Sequence, residues 1–220
     1  MSDTIRRVAV FDLDGTLTRR DTFVDFLLGY VRRRPGRALR LWRLPPALIG
    51  YLAGGMDRGL LKQRLIQIFM RGDARTAIDS WAQVFAEETL RSGCRGEGLA
   101  QLREHQRAGD FVALLSASPD LYVPRIGALL GVNRTICTEI AFEGDRLTGA
   151  LRTPNRRGEE KRRCVAALKR EFPDATISAY ANSSSDLPHL VDTEHPLLVN
   201  GNASARRRAQ SLNIAIADWR

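Results

Sequence analysis

The sequence predicts an α/β fold: a doubly wound, mainly parallel sheet with a small all-helical cap domain inserted after the first strand. A β-branched and apolar run, Val8–Phe11, is typical of a buried strand. From there to about Gly96 the apolar residues recur at helical spacing, and beyond Gly96 strand patterns alternate with helix patterns. Such alternation favours parallel strands with helices on both faces. We therefore expect an α/β core formed by residues 1–18 and 96–220, and a helical cap formed by residues 19–95.

Length and cysteine usage limit the class of protein. A chain of 220 residues is long enough to bury such a core. The three cysteines, Cys94, Cys137 and Cys164, are widely spaced and odd in number. They argue against a disulfide scaffold or a zinc site and fit a reducing, cytoplasmic location. No run is long and apolar enough to cross a bilayer, and Met1–Arg7 leads directly into the first strand, so we expect no secretory signal.

The chain is strongly basic, with a formal net charge of +9. Among its 34 basic residues only Lys62, Lys161 and Lys169 are lysines. A positive field concentrates anionic substrates. No zinc finger or aromatic RNA-binding motif accompanies the charge, so nucleic-acid binding is not expected. The sequence does not indicate an oligomeric state.

The cap is expected to be built from several helices. Asp21 suits the N-cap of the first of them, and apolar residues follow it at helical spacing. Two further amphipathic helices are expected at Arg58–Met70 and Ala74–Leu90, with Asp73 as the N-cap of the second.

Between these helices, Arg37–Gly55 combines apolar residues with arginines and is divided by Pro45 and Pro46. We expect a helical hairpin that buries its apolar face against its own domain. The alternative is a segment that lies on a bilayer surface with its arginines near lipid phosphates, which is a possible peripheral membrane contact.

Beyond Gly96 the elements of the core follow one another in a regular order. Strands are expected at Phe111–Leu115, Thr135–Ile140, Arg146–Leu151, Thr176–Ala181, Pro196–Asn200 and Ile214–Trp219. Helices are expected at Gly98–Ala108, Pro119–Leu130, Gly158–Phe172, Leu187–Val191 and Ala203–Leu212. The second and third of these strands are expected to face each other across the turn at residues 143–145.

Polar residues follow three of the expected strands. These are Asp12 and Asp14, Ser116, and the run Asn182–Asp186. Sites in parallel sheets lie beyond the carboxyl ends of the strands, so these groups are expected to converge. Two neighbouring carboxylates there need a cation, or act as a nucleophile and an acid/base. The alternative for Asp14 is a solvated Asp-Gly turn.

Two further residues are candidates for binding an anion. The Ser116 hydroxyl and the backbone N–H groups after it could hold one, although Ser118 could equally be a plain N-cap. Lys161, in the first turn of an expected helix, could contact a phosphate, although most helix lysines are merely solvated. The run Asn182–Asp186 is either a polar metal loop or a flexible connector.

Taken in order, these motifs resemble those of haloacid dehalogenase-superfamily phosphatases, in the subgroup (subfamily IB) that is similar to phosphoserine phosphatase. The matching segments are Phe11–Thr18, Leu115–Pro119, Leu147–Gly149, Gly158–Lys161 and Asn182–Pro188. The resemblance extends over nearly the whole chain and implies a Rossmann-like core.

The resemblance also implies a Mg²⁺-dependent phosphomonoesterase. Asp12 would attack the phosphorus and form an aspartyl-phosphate, and Asp14 would be the acid/base. Ser116, Ala117 and Lys161 would bind the phosphoryl oxygens. Mg²⁺ would be held by Asp12, the backbone carbonyl of Asp14 and the loop that contains Asn182 and Asp186.

One residue departs from the pattern of the family. Asn182 stands where the family usually has an aspartate, so we expect weaker Mg²⁺ binding, with Asp186 taking over part of the role. We expect an active enzyme; the alternative is a catalytically silent protein that binds a phosphate or a partner.

The expected substrate is a small phosphorylated metabolite similar to phosphoserine. Asp21 stands where phosphoserine-specific relatives often carry an acidic residue that meets the substrate amine, although it also suits an N-cap. The cap segment Arg32–Gly55 is longer and more apolar than such a substrate requires and is similar to the caps of relatives that act on phospholipid-derived phosphates. A lipid or lysolipid phosphate is therefore the second candidate.

Overall fold

The computed structural model describes residues 5–220, and six strands of this part of the chain form one parallel sheet. Its order is β3-β2-β1-β6-β7-β8, while β4 and β5 form a separate antiparallel hairpin. The predicted lead from Met1–Thr4 into β1 lies outside the described residues. The strands are β1 (Arg7–Phe11), β2 (Phe111–Pro119), β3 (Arg134–Thr138), β4 (Ile140–Glu143), β5 (Arg146–Leu151), β6 (Thr176–Ala181), β7 (His195–Val199) and β8 (Ala215–Ala217).

The α-helices within these residues lie in two groups. The first four precede β2 and belong to the long helical segment after β1, and the rest alternate with the strands. They are α1 (Thr22–Arg33), α2 (Leu44–Leu52), α3 (Arg58–Met70), α4 (Arg75–Glu88), α5 (Gly96–Arg107), α6 (Val123–Leu130), α7 (Glu159–Glu171), α8 (Leu187–Val191) and α9 (Ala203–Ser211). A 3₁₀ segment, Pro35–Arg43, leads into α2.

Strand β1 lies at the centre of the sheet, so the residues that follow it emerge at the middle of the sheet's carboxyl edge. It pairs in parallel with β2 on one side and β6 on the other. Successive residues point to opposite faces: Val8 and Val10 pack in one hydrophobic cluster and Ala9 and Phe11 in another. The predicted α/β class, with a doubly wound parallel sheet, is confirmed.

The two ends of the long helical segment lie side by side next to the sheet. Thr18 and Cys94 form an isolated antiparallel bridge. On either side of it, the Arg19 amide donates to the Gly93 carbonyl and the Arg95 amide to the Leu17 carbonyl, both at 2.8 Å. The division into a core and a cap at these positions stays a prediction.

Aromatic side chains join the helical segment to the sheet layer. The ring of Phe26, on α1, stacks on Trp81 and on Tyr122, at centroid distances of 5.9 and 4.5 Å. Phe85 meets Phe26 and Tyr122 edge to face. Because Tyr122 immediately precedes α6, this cluster holds α1 and α4 against the part of the chain that follows β2.

The strand pairing predicted across residues 143–145 is only partly correct. The expected strand Thr135–Ile140 divides into two elements: β3 joins the main sheet beside β2, and β4 starts at Ile140 and pairs with β5. Strand β5 lies against α3, where the Leu151 amide donates to Gln63 Oε1 at 3.1 Å. A strand pattern alone does not distinguish these two sets of partners.

The predicted helix Pro119–Leu130 starts too early. Strand β2 continues to Pro119 through a register shift after Leu115, and Pro119 pairs with Thr138. The helix begins at Val123, with Pro124 in its first turn. The polar run after Leu115 therefore stays extended and remains at the carboxyl edge of the sheet.

Asp73 is not the N-cap that its position suggested. The cap of α4 is Ala74, which makes no side-chain hydrogen bond there. The Asp73 carboxylate is buried and instead accepts hydrogen bonds from the Tyr30 hydroxyl and the Arg37 guanidinium. It thus fixes the start of the 3₁₀ segment to the body of the helical segment.

The expectation that Arg37–Gly55 buries its apolar face is wrong. The 3₁₀ segment contains no buried residue, and Ala47 is the buried residue of α2. Leu39 and Leu52 are 80% and 81% exposed. No helix within residues 5–220 has both the length and the apolar character needed to cross a membrane.

Phe26→Ala is expected to lower the free energy of unfolding by about 3–5 kcal/mol, because it leaves a cavity among stacked rings. Leu28→Ala, on the same helix but 50% exposed, serves as the matched control and should change stability by less than about 1 kcal/mol. Urea unfolding of both variants measures the difference. Equal losses would contradict the central position of Phe26.

Candidate active site

Asp12 lies at the carboxyl end of the central strand. Its backbone amide donates to the Tyr180 carbonyl at 2.9 Å, so the ladder between β1 and β6 continues to this residue. The side chain is buried, and its Oδ2 accepts a hydrogen bond of 3.0 Å from the Thr16 hydroxyl. The other oxygen, Oδ1, faces Lys161.

Asp14 lies in the turn that follows, and its carboxylate is held by donors from two segments. Oδ1 accepts from the Thr22 amide at 2.7 Å and from the Thr22 hydroxyl at 2.6 Å. Oδ2 accepts from the Ser118 hydroxyl at 2.6 Å and, more weakly, from Ser116 at 3.4 Å. The alternative of a freely solvated turn at Asp14 is therefore wrong.

Lys161 connects two acids that are distant in sequence. Its Nζ lies 2.5 Å from Asp12 Oδ1 and 2.9 Å from Asp186 Oδ1. The side chains of all three residues are at most 7% exposed. Lys161 reaches this point from the first turn of α7, as predicted, and Asp186 from the loop after β6.

These buried charges perturb one another strongly. Burial raises the pKa of Asp12 to about 7, against the opposing effect of the Lys161 ammonium. Burial also acts to raise the pKa of Asp186, but the charge of Lys161 and the hydrogen bonds from Lys161 and Ser183 together act against it, and the net direction is downward. Burial acts to lower the pKa of Lys161, and the two carboxylates outweigh it, so its pKa is raised. Lys161 is therefore a permanent cation here.

Ser116, Ala117 and Ser118 occupy the extended end of β2. Ser116 is fully buried, and its Oγ accepts from the Ser118 amide at 3.0 Å. Ala117 and Ser118 line the same cavity as Asp12 and Asp14. The Ser118 hydroxyl, which the sequence suggested as a plain N-cap, is the closer of the two to Asp14. The role of Ser116 as a phosphate ligand stays a prediction.

Lys62 was not predicted as a site residue, yet α3 carries it into the cavity. Its ammonium donates to the Ala117 carbonyl and, at 2.7 Å, to Asn155 Oδ1. Burial lowers its pKa to about 8, although Asp14 and Asp21 act in the opposite direction. The scarcity of lysine in this chain is the sequence signal that could have identified it, as it supported Lys161.

Asn182 follows β6 directly and lies against the turn after Asp12. Gly15 has φ +80°, and a Cβ at this position would lie 2.0 Å from Asn182 Nδ2. A glycine is therefore needed for both backbone conformation and space. The contact brings Asn182 to the same edge of the sheet as Asp12, as the sequence predicted.

His189, on α8, is 1% exposed. Its Nδ1 has no hydrogen-bond partner within residues 5–220. Burial, together with the nearby Lys161 charge, lowers its pKa to about 4. The ring is therefore neutral at physiological pH and adds no charge to the cluster.

A cavity of about 630 Å³ opens above these groups. Its floor contains Asp12, Asp14, Lys161 and Asp186. The lining also includes five other cationic residues, from the turn after β1, helix α3 and the loop before α7: Arg19, Arg20, Arg58, Lys62 and Arg157. Asp21 lies in the lining too, and its carboxylate accepts from the Phe23 amide at 2.9 Å as the N-cap of α1.

The donors on the floor fit a magnesium ion. Asp12 and Asp186 converge closely enough for one ammonium to contact both, and carboxylate and amide oxygens are the ligands that Mg²⁺ prefers. Within residues 5–220 no group of three His, Cys, Asp or Glu side chains forms a metal site. Neutral oxygens, from Asn182 and the Asp14 backbone, must therefore complete any ligand set.

Comparisons with known proteins agree with this geometry. The family described as haloacid dehalogenase-like hydrolase matches residues 9–190. Protein CicA of Caulobacter vibrioides is 35% identical over 187 residues, which cover 84% of this chain and 82% of CicA.

Solved structures share the fold. A Bordetella pertussis protein described as of unknown function superposes with a TM-score of 0.82 at 23% identity, covering 98% of this chain and 99% of that one. A phosphoserine phosphatase with a phospho-aspartyl intermediate analogue gives a TM-score of 0.65 at 13% identity, covering 96% and 93%. At these identities the likeness shows the fold.

The stability that Lys62 contributes is expected to depend on pH. The folded chain loses the Lys62 proton near pH 8, whereas the unfolded chain keeps it until about pH 10.5. Between pH 8 and pH 10.5 the folded protein therefore binds fewer protons than the unfolded chain. The free energy of unfolding of the wild type, relative to that of Lys62→Met, should rise across this window by at most about 3 kcal/mol. Urea unfolding at the two ends of the window measures this, with the exposed Lys169→Met as control. A constant difference would contradict a depressed pKa.

Proposed function

Because the chain belongs to the haloacid dehalogenase-like hydrolase family, we propose that it is a Mg²⁺-dependent phosphomonoesterase that acts through an aspartyl-phosphate. The observation that carries the proposal is the buried group formed by Asp12, Lys161 and Asp186 on the floor of a cationic cavity. The predicted family and the hydrolase class are confirmed; the reaction, its metal and its substrate are proposals.

Asp12 is the proposed nucleophile. Hydrogen bonds from Thr16 and Lys161 fix the orientation of its carboxylate, and the cavity gives a phosphate access to it. Attack forms a bond from a carboxylate oxygen to phosphorus and releases the alcohol oxygen. Lys161, a permanent cation beside Asp12, would stabilise the negative charge of the phosphoryl group.

Asp14 is the proposed acid/base. Donors from Thr22 and Ser118 hold both its oxygens, so the carboxyl group keeps a fixed position in the cavity. It would give a proton to the leaving alcohol and then take one from the water that hydrolyses the aspartyl-phosphate. Ser116 and Ala117 are proposed to position the phosphoryl oxygens.

Magnesium, when bound, would neutralise the carboxylates and polarise the phosphoryl group. Asp12, the Asp14 carbonyl, Asn182 and Asp186 are the residues that would hold it. All three cysteines are free, which supports the proposed cytoplasmic location.

The proposed substrate is a small phosphate monoester. Asp21 could meet a substrate amine, as in a phosphoserine-like compound, but its carboxylate already caps α1. The five cations of the lining favour a leaving group that itself carries a negative charge. A panel of phosphorylated metabolites that pairs cationic with anionic leaving groups would distinguish these possibilities through kcat/KM.

A lipid or lysolipid phosphate is the second candidate substrate. The observation in its favour is that Tyr51 lines the cavity, while its neighbour Leu52 is 81% exposed. An acyl chain leaving the cavity would therefore meet apolar surface. Including lysophosphatidic acid in the same panel tests it, and hydrolysis confined to water-soluble esters would exclude it.

Asp12→Asn is expected to lower the turnover of p-nitrophenyl phosphate by about four orders of magnitude or more, because it removes the nucleophile. The matched control is Asp25→Asn, an exposed carboxylate on α1 that should keep full activity. A spectrophotometric assay with Mg²⁺ gives the rates. Turnover that survives in Asp12→Asn would refute the mechanism, and an inactive wild type would point to a silent phosphate-binding protein.

Asn182→Asp is expected to tighten Mg²⁺ binding by about tenfold, because one more ligand carries a negative charge. Calorimetric titration and the Mg²⁺ dependence of activity both measure it. Asn202→Asp is the matched control, since Asn202 lines the same cavity but caps α9, where aspartate is an equal N-cap. Unchanged Mg²⁺ affinity in Asn182→Asp would remove Asn182 from the ligand set.

A further inference from the structure

Exposed apolar side chains are concentrated in one short segment. Thirteen large hydrophobic residues are exposed within residues 5–220, and six of them lie between positions 39 and 52. We call these six the apolar patch: Leu39, Leu41, Trp42, Leu48, Ile49 and Leu52. Trp42 is 70% exposed. Singly exposed apolar residues are normal, but six of them within fourteen consecutive positions are typical of a binding surface.

Hydrogen bonds and one buried side chain hold the segment that carries the apolar patch against the rest of the helical segment. The Arg37 guanidinium donates to the buried Asp73, and Arg40 Nη1 donates to the Ile68 carbonyl at 3.1 Å. Ala47, on α2, is buried against the helical segment. The patch is thus the outer side of an anchored hairpin.

The stretch of sequence that carries the apolar patch bears only positively charged residues, and three of them, Arg33, Arg34 and Arg37, pair with Glu88 or Asp73 from other segments. Residues 26–56 contain six arginines and no acidic residue. The Arg43 guanidinium lies 5.1 Å from the centre of the Trp42 ring, so a cation and an aromatic ring sit side by side. Tryptophan and arginine next to apolar residues suit the boundary between lipid headgroups and acyl chains.

We propose that the apolar patch docks this protein onto the surface of an anionic lipid bilayer. Apolar side chains would enter the acyl boundary and the arginines would contact lipid phosphates. A second copy of the chain is a poorer occupant, because self-association would bring the two sets of arginines together. The segment lies on the bilayer, since α2 has nine residues and so is only about 14 Å long.

Docking places the cavity next to the bilayer. Tyr51, from α2, and Arg58, from the start of α3, both line the cavity, and the Arg58 Nε lies 3.3 Å from the Tyr51 hydroxyl. The mouth of the cavity therefore borders the docked face. The proposal does not depend on the hydrolytic activity of the protein.

The test is co-sedimentation with vesicles made of equal parts phosphatidylglycerol and phosphatidylcholine. Wild type should sediment with them and remain in solution with vesicles of phosphatidylcholine alone. Combining Leu39→Ser, Trp42→Ser and Ile49→Ser, all in the apolar patch, should weaken binding by about tenfold or more. The matched control, Leu129→Ser with Val191→Ser and Leu212→Ser, removes three apolar residues that are 44–49% exposed elsewhere and should bind like wild type.

Several results would overturn the proposal. These are wild type that stays in the supernatant, a control variant that loses as much binding as the patch variant, and a dimer in light scattering that the patch variant dissociates. Asp12→Asn should still bind vesicles, and the patch variant should hydrolyse p-nitrophenyl phosphate at the wild-type rate. Failure of docking is therefore distinguishable from failure of the proposed function.

Discussion

The buried charge cluster of Asp12, Lys161 and Asp186 is the constraint on which the site depends. Removing ions from water costs several kcal/mol each, and the cost is met only when opposite charges and hydrogen bonds surround them. Here one ammonium serves two carboxylates, with Thr16 and Ser183 donating to the remaining oxygens. The end of β1, the start of α7 and the loop after β6 must therefore meet at one point for these three charges to be buried.

The acids of the cavity and two of its cations, Arg58 and Lys62, come from different parts of the chain. The acids of the floor follow strands of the sheet, whereas Lys62 and Arg58 come from α3. The parallel strands bring the negative charges together, and the helical segment supplies cations that attract an anion toward them. The proposed reacting groups and the two cations of α3 thus come from separate parts of the fold, the first from the ends of sheet strands and the second from the helical segment.

The sequence predicted Asp12, Asp14, Asp186 and Lys161 because each stands at an element end that a parallel sheet must bring to one edge. It did not predict Lys62, because no local pattern links α3 to Ala117 across 55 positions and only the scarcity of lysine marked this residue. Local patterns also failed where one residue suits two roles. Asp73 stands at a position typical of a helix N-cap, but it is the buried partner of Arg37. Likewise, Thr135–Ile140 has the pattern of one strand, but its residues belong to both β3 and β4.

The bridge between Thr18 and Cys94 has a consequence for how such a protein can change over time. The chain leaves the sheet at Thr18 and returns beside it at Cys94. The residues between them therefore form a loop whose two ends are adjacent. A change of length at an exposed position of that loop is not transmitted to the strand register, whereas changes at Thr22, Phe26 or Lys62 would remove contacts to Asp14, Tyr122 and Ala117. Selection can therefore alter exposed positions of the helical segment while the proposed reacting groups stay as they are, provided that contacts such as the one from Thr22 to Asp14 are kept.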